Sequence, residues 1–175
     1  MKRLRYSVAA SLDGYIAAPD GGYDWIVMDP DIDFAAMAAE FDTYVMGRGT
    51  YEVTLHAGDQ GMMSGNDVYV VSTTLDPAEH PNVTVIATDV VECVRTLKEG
   101  PGKDIWLFGG GILFRALLEA GLVDTVEVAV IPVLLGQGIP LLPGLDGRAR
   151  LRLDRQHTYP KSGIVMLRYR VVTDD

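Results

Sequence analysis

Two short stretches carry residue types that could do chemistry. The first is "VMGRGTYE", Val45 to Glu52, where an apolar run stops on Gly47-Arg48-Gly49-Thr50. A plain turn needs one glycine and an aspartate, and has no use for a cation. Glycines, an arginine and a hydroxyl at a strand-to-helix junction suit an anionic ligand. The first amides of a helix are unpaired there, and its dipole favours negative charge. The second stretch is "DIWLFGGGILFRALLEAG", in which a wholly apolar strand meets Gly109-Gly110-Gly111 and a helix starts at once. Three glycines let backbone N–H groups close on a phosphate, although a tight turn would use them too. Arg48 likewise reads either as a phosphate donor, planar and always charged, or as a surface arginine.

The common nucleotide loops do not fit these residues. A Gly-x-Gly-x-x-Gly fingerprint would need its third glycine at Phe114, and Asp124 precedes "VEVAVI" instead of ending a strand. No Gly-Lys-Ser/Thr ending and no Tyr-xxx-Lys pair is present, and no Gly-x-Ser-x-Gly elbow offers a serine nucleophile. His56, His80 and His157 lie far apart without metal-ligand spacing, which predicts no metal site. What remains is two glycine-bearing turns, one with an arginine. At neighbouring strand ends they could hold the two ends of one dinucleotide.

The elements that must position these turns are legible in the apolar pattern. "LRYSVAA" and "GYIA" read as extended segments around Asp13-Gly14, and "APDGGYDW" is turn chemistry ending on Trp25. "DPDIDFAAMAAEF" spaces Phe34, Met37, Ala38 and Phe41 as a helix face, with acids in its first turn. Apolar runs then alternate with helical patterns in "GTYEVTL", "DVVECVRTLKEG" and "ILFRALLEAG", the last two stopped by Gly100 and Gly121. Beyond "GQGIPLLPGLDG", the segments "RLRLDRQHTY" and "GIVMLRYRVV" flank Pro160 to Gly163 as a hairpin. The expected fold class is α/β, a mainly parallel central sheet flanked by helices with an antiparallel C-terminal hairpin.

The 175 residues, 48% hydrophobic and 22% charged, fit one domain over 1–175 with a real core. Fifteen basic against twenty-four acidic residues give a net charge of −9, which argues against a nucleic-acid surface or an anionic membrane. The single cysteine, Cys93, excludes an intramolecular disulfide and fits a reducing compartment, where it reads as a small core residue. "MKRLRYSVAA" is too short an apolar start for a signal peptide, and no stretch reaches membrane-span length. A cytoplasmic protein is expected.

Four stretches together resemble the dihydrofolate reductase-like fold. These are "SLDGYIA" (Ser11 to Ala17), "MGRGTYE" (Met46 to Glu52), "FGGGILFRALLEAGLVD" (Phe108 to Asp124) and "PVLLGQGIPLL" (Pro132 to Leu142). Most closely they resemble the reductase family named for the C-terminal domain of the bifunctional deaminase–reductase of riboflavin biosynthesis. The resemblance implies NADPH as cofactor. It implies that Arg48, flanked by Gly47 and Gly49, lies against the 2′-phosphate and Thr50 near the pyrophosphate. It puts Ser72 and Thr73 on the adenosine side. It makes Gly109, Gly110, Gly111, Ile112 and Leu113 the pyrophosphate cradle, with a cis Gly109–Gly110 bond. Ala9, Ala10 and Ile16 would border the nicotinamide. It also implies a homodimer, paired through a sheet edge for which the apolar "TVEVAVIPVLLG" strand is the candidate.

On the substrate side, counting back from Gly47 reaches Asp31 as the counterpart of the acid that holds a pteridine, with Asp33 one small shift away. Both acids also stabilise a helix start without any ligand. Trp25 is placed either to close over the nicotinamide or to anchor its own loop. Ala129 stands where dihydrofolate reductases have a threonine, a departure that argues against dihydrofolate. A ribose-phosphate substrate would need a cation near the first helix, and "DPDIDFAAMAAEFDT" contains none. The deaminase half, with its zinc cysteines and histidine, is missing. The expected activity is hydride transfer from NADPH to a small pyrimidine- or pteridine-like heterocycle or a carbonyl compound, similar to 5-amino-6-(5-phosphoribosylamino)uracil reductase. Dihydrofolate reduction is one alternative, and a non-catalytic NADPH-binding sensor or scaffold is another.

Overall fold

The computed structural model describes residues 1–57 and 64–172. Its centre is an eight-stranded sheet. In chain order the strands are β1 (Leu4–Ser11), β3 (Phe41–Gly47), β4 (Asp67–Val71), β5 (Thr84–Ile86), β6 (Asp104–Gly109), β7 (Thr125–Ile131), β9 (Arg150–Tyr159) and β10 (Ile164–Val172). The spatial order is β5-β4-β3-β6-β1-β7-β10-β9. All neighbours from β5 to β7 are parallel, and β10 joins β7 and β9 antiparallel. Two short strands, β2 (Tyr15–Ala17) and β8 (Ile139–Pro140), form a separate pair.

Helices cover both faces, because the parallel strands are apolar on both sides and must bury each. On one face α3 (Val90–Glu99) and α4 (Gly111–Glu119) set Val94, Leu113, Phe114 and Leu117 against Leu4, Tyr6, Ile105 and Leu107. Tyr6 and Phe114 stack there with ring centroids 3.9 Å apart. On the other face α1 (Phe34–Ala38) and α2 (Arg48–Ala57) cover Phe41, Tyr44, Met46, Val70 and Trp106. Among the described residues no helix is long and apolar enough to cross a membrane.

Three expectations need correction. The first helix is five residues long, and its acids do not lie in the first turn: Asp33 is the N-cap and Asp31 sits in the loop before it. The long apolar strand stops at Ile131, short of Pro132, and β7 is interior, hydrogen-bonded to β1 and β10. It cannot be a dimer edge; the edges of the sheet are β5 and β9. The third is the lack of a cation near the first helix: the turn of the β9–β10 hairpin, present as expected, returns there and brings Lys161 to Asp31.

Candidate functional site

The two glycine-bearing turns lie side by side. Strands β3 and β6 are parallel neighbours, with Met46 in register with Gly109, so α2 and α4 start at the same sheet edge. Gly110 is the N-cap of α4 and no side chain caps that helix, so its first amides face whatever occupies the edge.

The glycines differ in what a side chain would meet. Gly109 has φ +143°, and a Cβ there would lie 3.1 Å from Thr50 Oγ1. At Gly111 a Cβ would sit 2.7 Å from the Pro140 carbonyl oxygen, so this glycine serves the packing of the 140–143 segment on α4. Gly110, by contrast, has φ −101°, open to any residue, and a Cβ there would meet nothing nearer than Thr50 Oγ1 at 3.7 Å. A Cβ on Gly47 would meet nothing within 3.8 Å, and one on Gly49 nothing within 4 Å. No packing neighbour requires glycine at 47, 49 or 110. The Gly109–Gly110 peptide bond is cis. These residues fit a dinucleotide: a shallow cradle that methyl groups would fill, two helix starts and one arginine.

Arg48 is about half exposed and held from two sides. Its Nε donates to Glu52 Oε1 at 2.7 Å, one helical turn on, and its Nη1 donates to Thr74 Oγ1 at 2.6 Å. The turn carrying Thr74 is built by Ser72, whose Oγ accepts from the amides of Thr74 (3.2 Å) and Leu75 (3.0 Å). Buried Ser72 therefore shapes the loop, while Thr73 and Thr74 are both exposed. Thr74 was missed by sequence reasoning, and only its place beyond β4 marks it. Glu52 was legible as an i,i+4 partner.

Ala9 and Ala10, adjacent on β1, point to opposite faces. Ala10 joins the core under α4, while Ala9 pairs across to Ala129, which pairs on to Met166. Small residues therefore floor the sheet on the α1 side. Ile16 approaches the Gly110 position to 4.0 Å. The strand that carries it is held by Asp13, whose carboxylate accepts from Ser11 Oγ (2.7 Å) and from the amides of Gly136 (2.7 Å) and Leu135 (3.1 Å). Those bonds push its pKa down to about 2. The "SLDGYIA" and "PVLLGQGIPLL" motifs are thus two halves of one latch.

On the substrate side, Asp31 is exposed and bridged to Lys161 Nζ at 2.8 Å. Asp33 accepts from the Ala36 amide and is committed as a cap. Asp29, unremarked in the sequence, is buried; its carboxylate accepts from the amides of Asp31 (2.9 Å) and Ser162 (3.0 Å). Hydrogen bonding to Ser162, then to Asp31, holds it below the usual carboxylate range. Trp25 Nε1 donates to the Gly22 carbonyl at 3.2 Å, which anchors its own loop. The missing cation near the first helix is supplied from 130 residues away, by Lys161. Among the described residues no three His, Cys, Asp or Glu side chains are grouped to hold a metal.

A family model described as the RibD C-terminal domain matches residues 2–165. The chain belongs to that family. It is 31% identical to the uncharacterized protein YyaP of Bacillus subtilis (strain 168), over 96% of this chain and 94% of the relative. A solved structure of a candidate riboflavin biosynthesis protein from Shewanella sp. PV-4 superposes with a TM-score of 0.82 at 25% identity, covering 99% of this chain and 100% of that one. At the level of fold alone, two more structures match. One is the diaminohydroxyphosphoribosylaminopyrimidine deaminase/5-amino-6-(5-phosphoribosylamino)uracil reductase of Thermotoga maritima (TM-score 0.76, 16% identity, 98% and 57% covered). The other is dihydrofolate reductase from Enterococcus faecalis complexed with NADP(H) (TM-score 0.67, 17% identity, 97% and 96% covered). The fold of this RibD C-terminal domain is therefore dihydrofolate reductase-like.

Proposed function

We propose that this RibD C-terminal domain is an NADPH-dependent reductase of a small pyrimidine- or pteridine-like heterocycle or carbonyl compound, acting in the cytoplasm as a homodimer of single-domain chains. The observation that carries the reading is the cradle at Gly47, Gly49 and Gly110, open where no packing neighbour needs glycine and flanked by two helix starts and Arg48. Bound NADPH supplies the hydride. The uncapped amides of α4 bind the pyrophosphate, and Thr50 lies beside them. Arg48, already aimed by Glu52 and Thr74, turns its remaining donors to the 2′-phosphate. Thr73 borders the adenosine and Ile16 the nicotinamide.

Substrate lies against Ala9 and Ala129, where small side chains leave depth above the sheet. Asp31, not Asp33, is the acid free to exchange its partner for a substrate donor, because its bridge to Lys161 is exposed at both ends. Lys161 in turn offers a cation to an anionic substituent, so a phosphorylated heterocycle is compatible with this side of the site. Trp25 stays with its loop. The test is NADPH oxidation, followed by absorbance, across a panel of pyrimidines, pteridines and carbonyl compounds, alongside a binding titration. Turnover of one class supports the enzyme. Tight NADPH binding with no turnover across the panel would replace it with a sensor or scaffold.

A further inference from the structure

Charge is divided unevenly along this chain. Between Arg5 and Arg48 there is no lysine or arginine, but there are eight aspartates and glutamates. Residues 148–172 hold seven of the fifteen basic residues and a single acid, Asp154. The structure gathers that basic segment on one surface. In the β9–β10 register Arg155 lies opposite Arg168 and Arg152 opposite Arg170, like charges directly across, an arrangement that repels unless acids answer it. Arg168 is answered by Glu127 at 3.3 Å and Arg170 by Asp154 at 2.7 Å. Arg152 and Arg155 have no ion-pair partner among the described residues. They stand on the edge strand, which is exposed from Arg150 to Thr158.

Charged side chains on an edge strand keep two edges from pairing, and these arginines do that. Two β9 strands brought edge to edge would bring two arginine-rich strands together. The same charges favour an acidic surface, and within one chain that pairing has already begun. At the turn end of the hairpin Lys161 meets Asp31, and the Ser162 amide meets Asp29. Toward the other end of the hairpin Asp154 answers Arg170, while Arg152 and Arg155 are left without an ion pair among the described residues. In the acidic segment, Asp20 and Asp24 are exposed and make no ion pair among the described residues. A second copy of this chain, net −9, carries that acidic segment at matched concentration. A two-fold arrangement makes each contact twice.

We propose that the basic face of the β9–β10 hairpin, centred on Arg152 and Arg155, seats the acidic Asp20–Asp24 segment of a second copy, giving the homodimer proposed above its surface. Complementary charge of this kind fixes the partner and the orientation.

A charge exchange tests it, with mass read by sedimentation equilibrium. The parent gives twice the chain mass of 19.0 kDa at low salt. Its dissociation constant rises about tenfold or more between roughly 20 mM and 500 mM salt, because exposed charges are screened. Arg152→Glu/Arg155→Glu alone is monomeric, since its hairpin now faces Asp20 and Asp24 of a like copy. Asp20→Lys/Asp24→Lys alone is monomeric for the mirrored reason. Mixed one to one, the two variants form a dimer, because both contacts of the mixed pair join opposite charges. Arg152→Gln/Arg155→Gln introduces no new charge and gives an intermediate constant, with parent-like circular dichroism. A dimer that persists in either charge-reversed variant keeps the homodimer but overturns this surface. A parent that is monomeric at low salt overturns both. Folded variants that fail to pair on mixing overturn the assigned contact.

Discussion

At the scale of the residue, the glycines separate by what a methyl group would strike. Gly109 is held to glycine by its φ of +143° and Gly111 by the Pro140 carbonyl, so they report on the chain's own backbone and packing. Gly110 meets nothing closer than 3.7 Å and has an ordinary φ, so it reports on a ligand. Gly110→Ala is accordingly expected to fold with an unchanged or slightly raised Tm, since losing a glycine reduces the freedom of the unfolded chain. NADPH binding should weaken by about tenfold or more, the loss of at least one charge-assisted contact. Fluorescence titration of NADPH checks it, and parent-like affinity would reduce the triple glycine to a turn. Arg48, the cation between two glycines, was legible as a candidate anion site. Its anchors were less so: Glu52 follows from helical spacing, but Thr74 reaches Arg48 only because β4 lies next to β3.

At the scale of the element, α2 carries the site on a helix weakened by design, since Gly49 sits in its first turn with open space around it. Gly49→Ala should stabilise the fold by about 0.5–1 kcal/mol. That is a rise of roughly 1–4 °C in Tm for a chain of this size. A fall in Tm would mean the position is strained in a way its surroundings do not show. The latch between β2 and the 133–136 loop rests on the Asp13 carboxylate, with a folded pKa of about 2 against an unfolded value near 4. A depressed acid contributes its stability above the unfolded pKa and loses it as pH falls through the folded one. The amide resonances of Leu135 and Gly136 should therefore shift with a midpoint near pH 2, and a midpoint near pH 4 would show that the latch is not made. The alternation of strands and helices was plain in the sequence because apolar period and glycine stops agree there. The first helix and the end of β7 were overread: an apolar run continues through Pro132, but the ladder does not. Asp29 and Lys161 were hidden because their partners are more than a hundred residues away.

At the scale of the whole molecule, the sheet is tied across its strands by a buried arginine. Arg5 is 1% exposed, and its guanidinium donates to both oxygens of Glu127 at 2.6 and 3.0 Å, while its other nitrogen meets Glu40 and Asp104. Removing Arg5 takes away the two closest donors of buried Glu127 and leaves it Arg168 at 3.3 Å and Thr125 at 3.1 Å, a change whose cost reaches about 3–5 kcal/mol where a buried pair is broken. Arg5→Leu is expected to lower the urea midpoint accordingly, and a loss under about 1 kcal/mol would show that Arg168, already 3.3 Å from Glu127, answers that carboxylate alone. This network fixes β1, β6 and β7 together and so fixes the floor beneath Ala9 and Ala129. The central claim concerns what binds above that floor. Its most direct test is titration of NADPH and NADH against the parent and Arg48→Leu. One charge-assisted hydrogen bond corresponds to about 1.5–3 kcal/mol, so the parent should prefer NADPH by about 10- to 150-fold. Arg48→Leu should lose that preference while its affinity for NADH stays nearly the same. A parent that binds neither cofactor, or one whose Arg48→Leu variant loses both equally, would contradict the account.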